Sequence, residues 1–284
     1  MYVVTGATGQ LGRLVVEGLL AAVPAERVAV VVRDAARAAD WADRGVRVHV
    51  ADYDDSGTLA GAFGAGDRVL LISGNQIGSR VAQHGAVIDA AAAAGVALLA
   101  YTSVLAAPTA TFRIAEEHRA TEELLRASGL PFALLRNGWY TENYLAAAAA
   151  NVASGEVFGS SGEGRVASAA RRDYADAAVA VLTGEGHEGR VYELNGDADW
   201  SMAEFAAELA AASGSPVAYL DVAPQEQVRR LVAAGLPEGF AGLFPDTDAA
   251  IARGELARRG DDLGRLIGRP TVPLAESVRA ALGA

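Results

Sequence analysis

The chain contains no cysteine and no lysine, so two common kinds of reactive side chain are missing from the outset. Lack of cysteine excludes disulfides, thiolate metal sites and cysteine nucleophiles. All 24 basic residues are arginine, which excludes any chemistry that relies on a lysine ammonium. Aromatic residues make up only 6% of the chain, and apolar runs are short. The most apolar one, Ala90 to Tyr101, is broken at Gly95 and is too short to span a membrane; a helix end followed by a buried strand accounts for it. Positive charge is also scarce. A net charge of −11 lacks the basic footprint that displaces counterions from nucleic-acid phosphates, and it disfavours an anionic membrane surface. None of the four histidines stands at metal-motif spacing, so no metal is expected. The first strand starts at once, leaving no room for a signal peptide, and the expected location is the cytoplasm.

What is present is 284 residues, 51% hydrophobic and 21% charged, enough for a large core with a smaller appendage. The chain opens on Val3-Val4-Thr5-Gly6-Ala7-Thr8-Gly9-Gln10-Leu11-Gly12. Two β-branched residues end a buried strand, and three glycines at G-x-x-G-x-x-G make a turn. Leu14, Val15, Leu19 and Leu20 then give a helix its apolar face. At such a turn the backbone can approach a pyrophosphate, and the positive helix end favours the anion. The spacing differs by one residue from the common dinucleotide fingerprint G-x-G-x-x-G, but its strand–turn–helix context is that of a dinucleotide site.

A second strand, Val28 to Val32, ends at Arg33. NAD-specific sites usually place a carboxylate there for the ribose hydroxyls. A guanidinium instead suits a 2′-phosphate, which points to NADPH. The alternative is a surface arginine paired to Asp34 or Asp54.

Beyond Arg33, short apolar strands alternate with helices. A helix is expected around Ala35–Arg44 and strands at 46–51, 69–73, 97–103 and 132–137; helices are expected over 79–94 and through 120–127. The alternation predicts an α/β fold, a Rossmann-type doubly wound parallel sheet with a smaller, mainly helical C-terminal substrate domain. The expected division is 1–150 for the dinucleotide-binding unit, with 172–195 returning to it, and 151–171 plus 196–284 for the smaller unit. Arg171-Arg172-Asp173-Tyr174 is expected to introduce a helix over 175–182. Ligands of such sheets lie at the carboxyl ends of the strands. That nominates Gly6 to Gly12, Arg33, Asp52 with Tyr53, Ser73-Gly74-Asn75, Ser103 and Asn137-Gly138-Trp139-Tyr140. Asp52 either accepts from an adenine amino group or caps the helix beginning near Ser56.

The glycine turn and Arg33, together with Ala100-Tyr101-Thr102-Ser103, Leu135 to Tyr144 (LRNGWYTENY), Gly189 to Leu194 and Ile267-Gly268-Arg269-Pro270-Thr271, resemble the NmrA-like branch of the atypical short-chain dehydrogenases. Within it the likeness is to the bacterial type-two NADPH:quinone oxidoreductases and runs nearly end to end. The resemblance implies NADPH on the Rossmann domain and a quinone-sized cleft. Ser73, Gly74 and Asn75 would border the ribose, while Asn137, Gly138, Trp139, Tyr140, Thr141 and Glu142 would cradle the nicotinamide and part of the quinone pocket. Tyr140 and Asn143 are the candidates for touching substrate, although Trp139 and Tyr144 suit a core position equally well. Arg171 either reaches the cofactor side or pairs with Asp173 or Asp176.

Ordinary short-chain dehydrogenases use a Tyr-x-x-x-Lys pair, which a chain without lysine cannot supply. The comparable helix carries His118 and Glu122, four residues apart on one face. They are either a proton-donor pair, with His118 as catalytic acid, or a solvated pair. Quinone reduction makes a smaller demand, because hydride acceptance gives a delocalised hydroquinone anion that solvent can protonate. The expected chemistry is direct hydride transfer from nicotinamide C4 to a quinone, with no flavin and no metal. Two alternatives remain: an NADP(H)-binding redox sensor acting on a protein partner, and a reductase of azo or triphenylmethane dyes. The sequence leaves a homo-oligomer open.

Overall fold

Runs of β-branched and aliphatic residues build the main sheet, whose layout was obtained from a computed structural model describing residues 1–257 and 260–283. The strands in chain order are β1 (Tyr2–Thr5), β2 (Val28–Val32), β3 (Arg47–Val50), β4 (Arg68–Leu71), β5 (Leu98–Val104), β6 (Phe132–Asn137), β7 (Glu156–Gly159), β8 (Arg165–Val166), β9 (Arg190–Leu194), β10 (Trp200–Ser201) and β11 (Ala218–Asp221). The first six and β9 form one sheet in the order β3-β2-β1-β4-β5-β6-β9, parallel throughout. The order reverses between β1 and β4, which opens a crevice at the carboxyl ends of those strands.

The helices are α1 (Gln10–Ala22), α2 (Ala39–Asp43), α3 (Arg80–Ala94), α4 (Arg113–Ala127), α5 (Glu142–Leu145), α6 (Ala148–Ser154), α7 (Arg171–Thr183), α8 (Met202–Ser213), α9 (Pro224–Ala233), α10 (Glu238–Ala241), α11 (Leu243–Ala252), α12 (Asp262–Ile267) and α13 (Leu274–Leu282). One sheet face buries Val4, Val30, Leu70, Ala100 and Leu135 against Val15, Leu19, Tyr174 and Val181 of α1 and α7. The other buries Val3, Val31, Val69, Leu99 and Tyr101 against Val87, Ile88 and Leu125 of α3 and α4. Successive strand residues point to opposite faces, so continuous apolar runs follow from burial on both sides. A third cluster gathers Phe112, Trp200, Phe205, Leu209, Ile251 and Val278 under the remaining helices. There β8 pairs antiparallel with β10, and β7 pairs parallel with β11. A capping box between Ser201 and Glu204 starts α8.

Three sequence expectations change. The helix expected at 35–44 is a tight 3-10 turn, Ala35–Ala38, followed by the short α2. Helix α7 begins at Arg171, four residues ahead of the expected 175. Segment 262–267, expected in the smaller unit, packs Leu263 into the core beside α7.

Candidate functional site: the strand-end crevice

The glycine turn joins β1 to α1 with no room for a side chain at Gly12. Gly6 sits at φ +61, and the Gly9 N–H donates to the Gly6 carbonyl at 3.0 Å. A Cβ on Gly12 would lie 2.5 Å from the Gly6 oxygen and 2.6 Å from the Ala7 oxygen. Ala7 and Leu11 turn their side chains into the core, while Gly6, Gly9 and Gln10 are exposed and Thr8 is half-buried. What faces outward is backbone at the start of a 13-residue helix, an arrangement that suits a pyrophosphate. The enclosed Tyr53 hydroxyl has no hydrogen-bond partner among the described residues, and burial pushes its pKa up to about 12.

At the end of β2, Arg33 is exposed and has no ion-pair partner among the described residues. Asp34 instead caps the following turn through the Ala36 N–H, and Asp54 accepts from Gln83. Two arginines missed in the sequence join it. Arg37 donates to the Thr8 carbonyl at 3.2 Å, and Arg13 donates to the Arg37 carbonyl at 3.3 Å. Arg37 follows Arg33 by four residues, a spacing that could have marked it. Asp52 does not cap the helical turn at 56–59; Asp55 does, accepting from Gly57. The Asp52 carboxylate accepts from the Asp54 N–H at 3.1 Å and is exposed.

After β4, the Ser73 N–H donates to Thr102 Oγ1 at 2.8 Å and the Gly74 N–H to His84 Nε2 at 3.0 Å; Asn75 is exposed. Burial pushes the His84 pKa down to about 4. Its ring is therefore neutral, and Nδ1 is the nitrogen left to donate to Thr121 Oγ1 at 3.0 Å.

Helix α4 corrects both readings of its polar pair. His118 and Glu122 are neither solvated nor in the crevice, because they lie buried against the sheet. Tyr101 meets His118 Nδ1 at 2.8 Å, and burial, reinforced by Arg80, pushes His118 down to about 3. Enclosed between sheet and helix and held by Tyr101, the imidazole has no open path to a substrate, so His118 is withdrawn as catalytic acid. Ser103 is drawn inward as well, donating to Glu122 Oε1 at 2.6 Å.

At the other end of the crevice, the segment after β6 is held by backbone bonds. Gly138 N–H donates to the Leu194 carbonyl at 2.6 Å, and the Trp139 carbonyl accepts from Ala169 N–H and the Tyr174 hydroxyl. Asn137 is buried; its Nδ2 donates to the Tyr140 hydroxyl oxygen at 3.2 Å, and its Oδ1 has no partner. Trp139 packs edge-on to Phe112 in the smaller core, and Tyr144 meets Trp200 edge-on. Thr141 bonds Ser168, and Asn143 is exposed. Arg171 does not pair with Asp173 or Asp176, which are held by Arg269 at 2.7 and 2.5 Å. Its backbone N–H donates to Glu142, and its guanidinium lies 4.8 Å over the Tyr140 ring.

The arrangement is a glycine turn suited to an anion, flanked on one side by Arg33, Arg37 and Arg13 and on the other by Asn137, Tyr140 and Arg171. The sequence model of the NAD(P)H-binding family matches residues 6–185, and the chain belongs to that family. Quinone oxidoreductase 2 of Escherichia coli is 46% identical over 278 residues, 98% of this chain and 97% of that protein. The crystal structure of the Escherichia coli NADPH-dependent quinone oxidoreductase with NADPH superimposes with a TM-score of 0.97, 45% identity and coverage of 99% and 100%. The Citrobacter triphenylmethane reductase with NADP(H) gives 0.95, 38% identity and the same coverage.

Proposed function

We propose that the chain is an NADPH-dependent quinone oxidoreductase, transferring hydride directly from the nicotinamide to a small quinone. It is read as a cytoplasmic enzyme; among the described residues no helix is long and apolar enough to cross a membrane. The bound cofactor supplies the hydride. Gly6 to Gly12 approach the pyrophosphate, Arg33 with Arg13 and Arg37 gathers at the 2′-phosphate end, and Asn137 to Glu142 border the nicotinamide. The residues fit such a group: Gly12 leaves the backbone bare, and the buried Asn137 Oδ1 lacks a donor.

The observation that carries the reading toward quinones is the fate of the α4 polar pair. Tyr101–His118 and Ser103–Glu122 are locked inside the protein, so no strong general acid comes from that helix. A quinone tolerates this, since its reduced anion is delocalised and is protonated by water. Positioning of the acceptor then carries the rate. The likeness to the triphenylmethane reductase favours a second acceptor class, triphenylmethane dyes that accept hydride by the same route.

The test is NADPH oxidation, followed by absorbance, with and without a benzoquinone or naphthoquinone, beside a direct NADPH binding titration. Turnover above background is expected. Tight binding without turnover on quinones or dyes would replace the enzyme with a redox sensor.

A further inference from the structure

The dinucleotide's direction follows from the sheet, given the cofactor reading above. The glycine turn lies at β1 and the free Arg33 at the end of β2, so the adenosine half occupies the β2 side. The nicotinamide half must run the other way, over β4, β5 and β6. Asn137 ends β6, three strand spacings of about 4.8 Å from β1.

Two hydrogen-bonding functions there are unsatisfied within the protein, and they are complementary. Asn137 is 4% exposed, yet its Oδ1 has no donor. Its Nδ2 donates into the Tyr140 oxygen, so the hydroxyl's own proton has no acceptor among the described residues. Burial raises the phenol's pKa above the ordinary value, which keeps that proton in place. One free acceptor therefore stands beside one free donor. Leaving a buried acceptor unpaired is costly, which argues for a ligand that pairs with it.

Both side chains are held in position. Gly138 N–H and the Trp139 carbonyl fix the intervening backbone. Tyr174 meets the Tyr140 ring edge-on at 5.1 Å, and Arg171 covers its face. The pair is preorganised, so little order must be gained on binding.

We propose that Asn137 and Tyr140 together recognise the primary carboxamide of the nicotinamide. The amide NH2 donates to Asn137 Oδ1, and the amide carbonyl accepts from the Tyr140 hydroxyl. A primary carboxamide is the one group on the nicotinamide ring that offers a donor and an acceptor side by side. Both contacts together fix which face of the ring is turned toward the acceptor.

The test compares dissociation constants of NADPH and its reduced 3-acetylpyridine analogue, in which a methyl replaces the amide NH2 and the carbonyl remains. Wild type should bind the analogue about tenfold more weakly, the loss of one bond to a buried acceptor. Asn137→Ala should bring the two ligands to near equality. Tyr140→Phe should weaken both by the same factor and preserve their ratio. Binding of 2′,5′-ADP, the adenosine half alone, should be the same in all three proteins and reports correct folding of each variant. Equal affinities in wild type, or a preference that survives Asn137→Ala, would overturn the Asn137 contact. A Tyr140→Phe protein with unchanged dissociation constants but a reduced kcat would give the hydroxyl proton to the acceptor and overturn the Tyr140 contact. If wild type binds 2′,5′-ADP but neither dinucleotide, the cofactor reading fails together with the pair.

Discussion

Arg136 grips both carboxylate oxygens of Glu122, with Nε at 2.8 Å from Oε1 and Nη2 at 2.6 Å from Oε2, in the buried layer between β6 and α4. The third nitrogen reaches Glu193 at 2.8 Å, and Glu193 in turn accepts from the Ala106 N–H. Ala106 is the described non-glycine residue with a positive φ, +53, so the ion network fixes a strained turn of the chain after β5. The planar fork matches a carboxylate in a way a lysine could not.

Breaking that network should cost more than any surface pair. Glu122→Ala leaves the Arg136 charge buried without its main partner and should lower the unfolding free energy by about 3–5 kcal/mol. Glu122→Gln, which keeps the shape, should lose less. Urea unfolding of the two variants beside wild type checks the order; equal losses would deny the charge its role.

Gly12 should tolerate no side chain. The added methyl of Gly12→Ala would press on the Gly6 and Ala7 carbonyl oxygens, so the turn must open. NADPH affinity should drop, and turnover should fall by roughly 100-fold, the scale expected of a displacement of about 1 Å in the reacting geometry. A titration showing unchanged affinity would remove the turn from the pyrophosphate.

Charge at the adenosine end should sort the cofactors. Arg33→Ala should raise the NADPH dissociation constant roughly 10–100-fold by losing charge-assisted bonds, with NADH almost unaffected. Arg37→Ala should weaken both, because it also frees the Thr8 carbonyl of the turn. Parallel titrations of the two variants with both nucleotides separate these roles.

The two buried histidines should show in stability and not in the rate profile. His84 and His118 have folded pKa values of about 4 and about 3, against an ordinary 6.5. Between those values and 6.5 the unfolded chain binds protons that the folded chain does not. The stabilisation is therefore full above pH 6.5 and is lost as pH falls through the window toward 4. Thermal melts from pH 7 to 4.5 should fall more steeply in wild type than in His84→Gln or His118→Gln. The pH profile of quinone turnover should be the same in His118→Gln and wild type.

The sheet was legible in the sequence because strands buried on both faces write themselves as apolar runs, as 28–32 and 132–137 do. The glycine turn was legible as a turn for a related reason, since close backbone approach leaves room only for glycine at position 12. Helix α4 was not. Glu117, His118 and Glu122 have the look of a solvent face, and only the pairing of β5 with β6 brings Tyr101, Ser103 and Arg136 against them. Strands β8 and β10, two residues each, carry no pattern of their own and exist because they find each other across the chain. Arg171 was ambiguous for want of Arg269, nearly a hundred residues on, which takes up its nearby carboxylates.

The position of β9 bears on how the protein is made. Strand β6 finds its outer neighbour only in Arg190–Leu194, and α7, which covers α1, comes only shortly before it. A nascent chain emerging from the ribosome therefore holds a glycine turn and six strands with an open edge until Leu194 has cleared the exit tunnel. Even then the start of α7 lacks the bonds from Arg269 to Asp173 and Asp176 and from Val272 N–H to Asp173. The Arg171 end of the crevice is thus fastened by residues nearly a hundred positions further along the chain, and a ribosome that stalls short of them releases a chain with the glycine turn but with that end of the crevice unsecured.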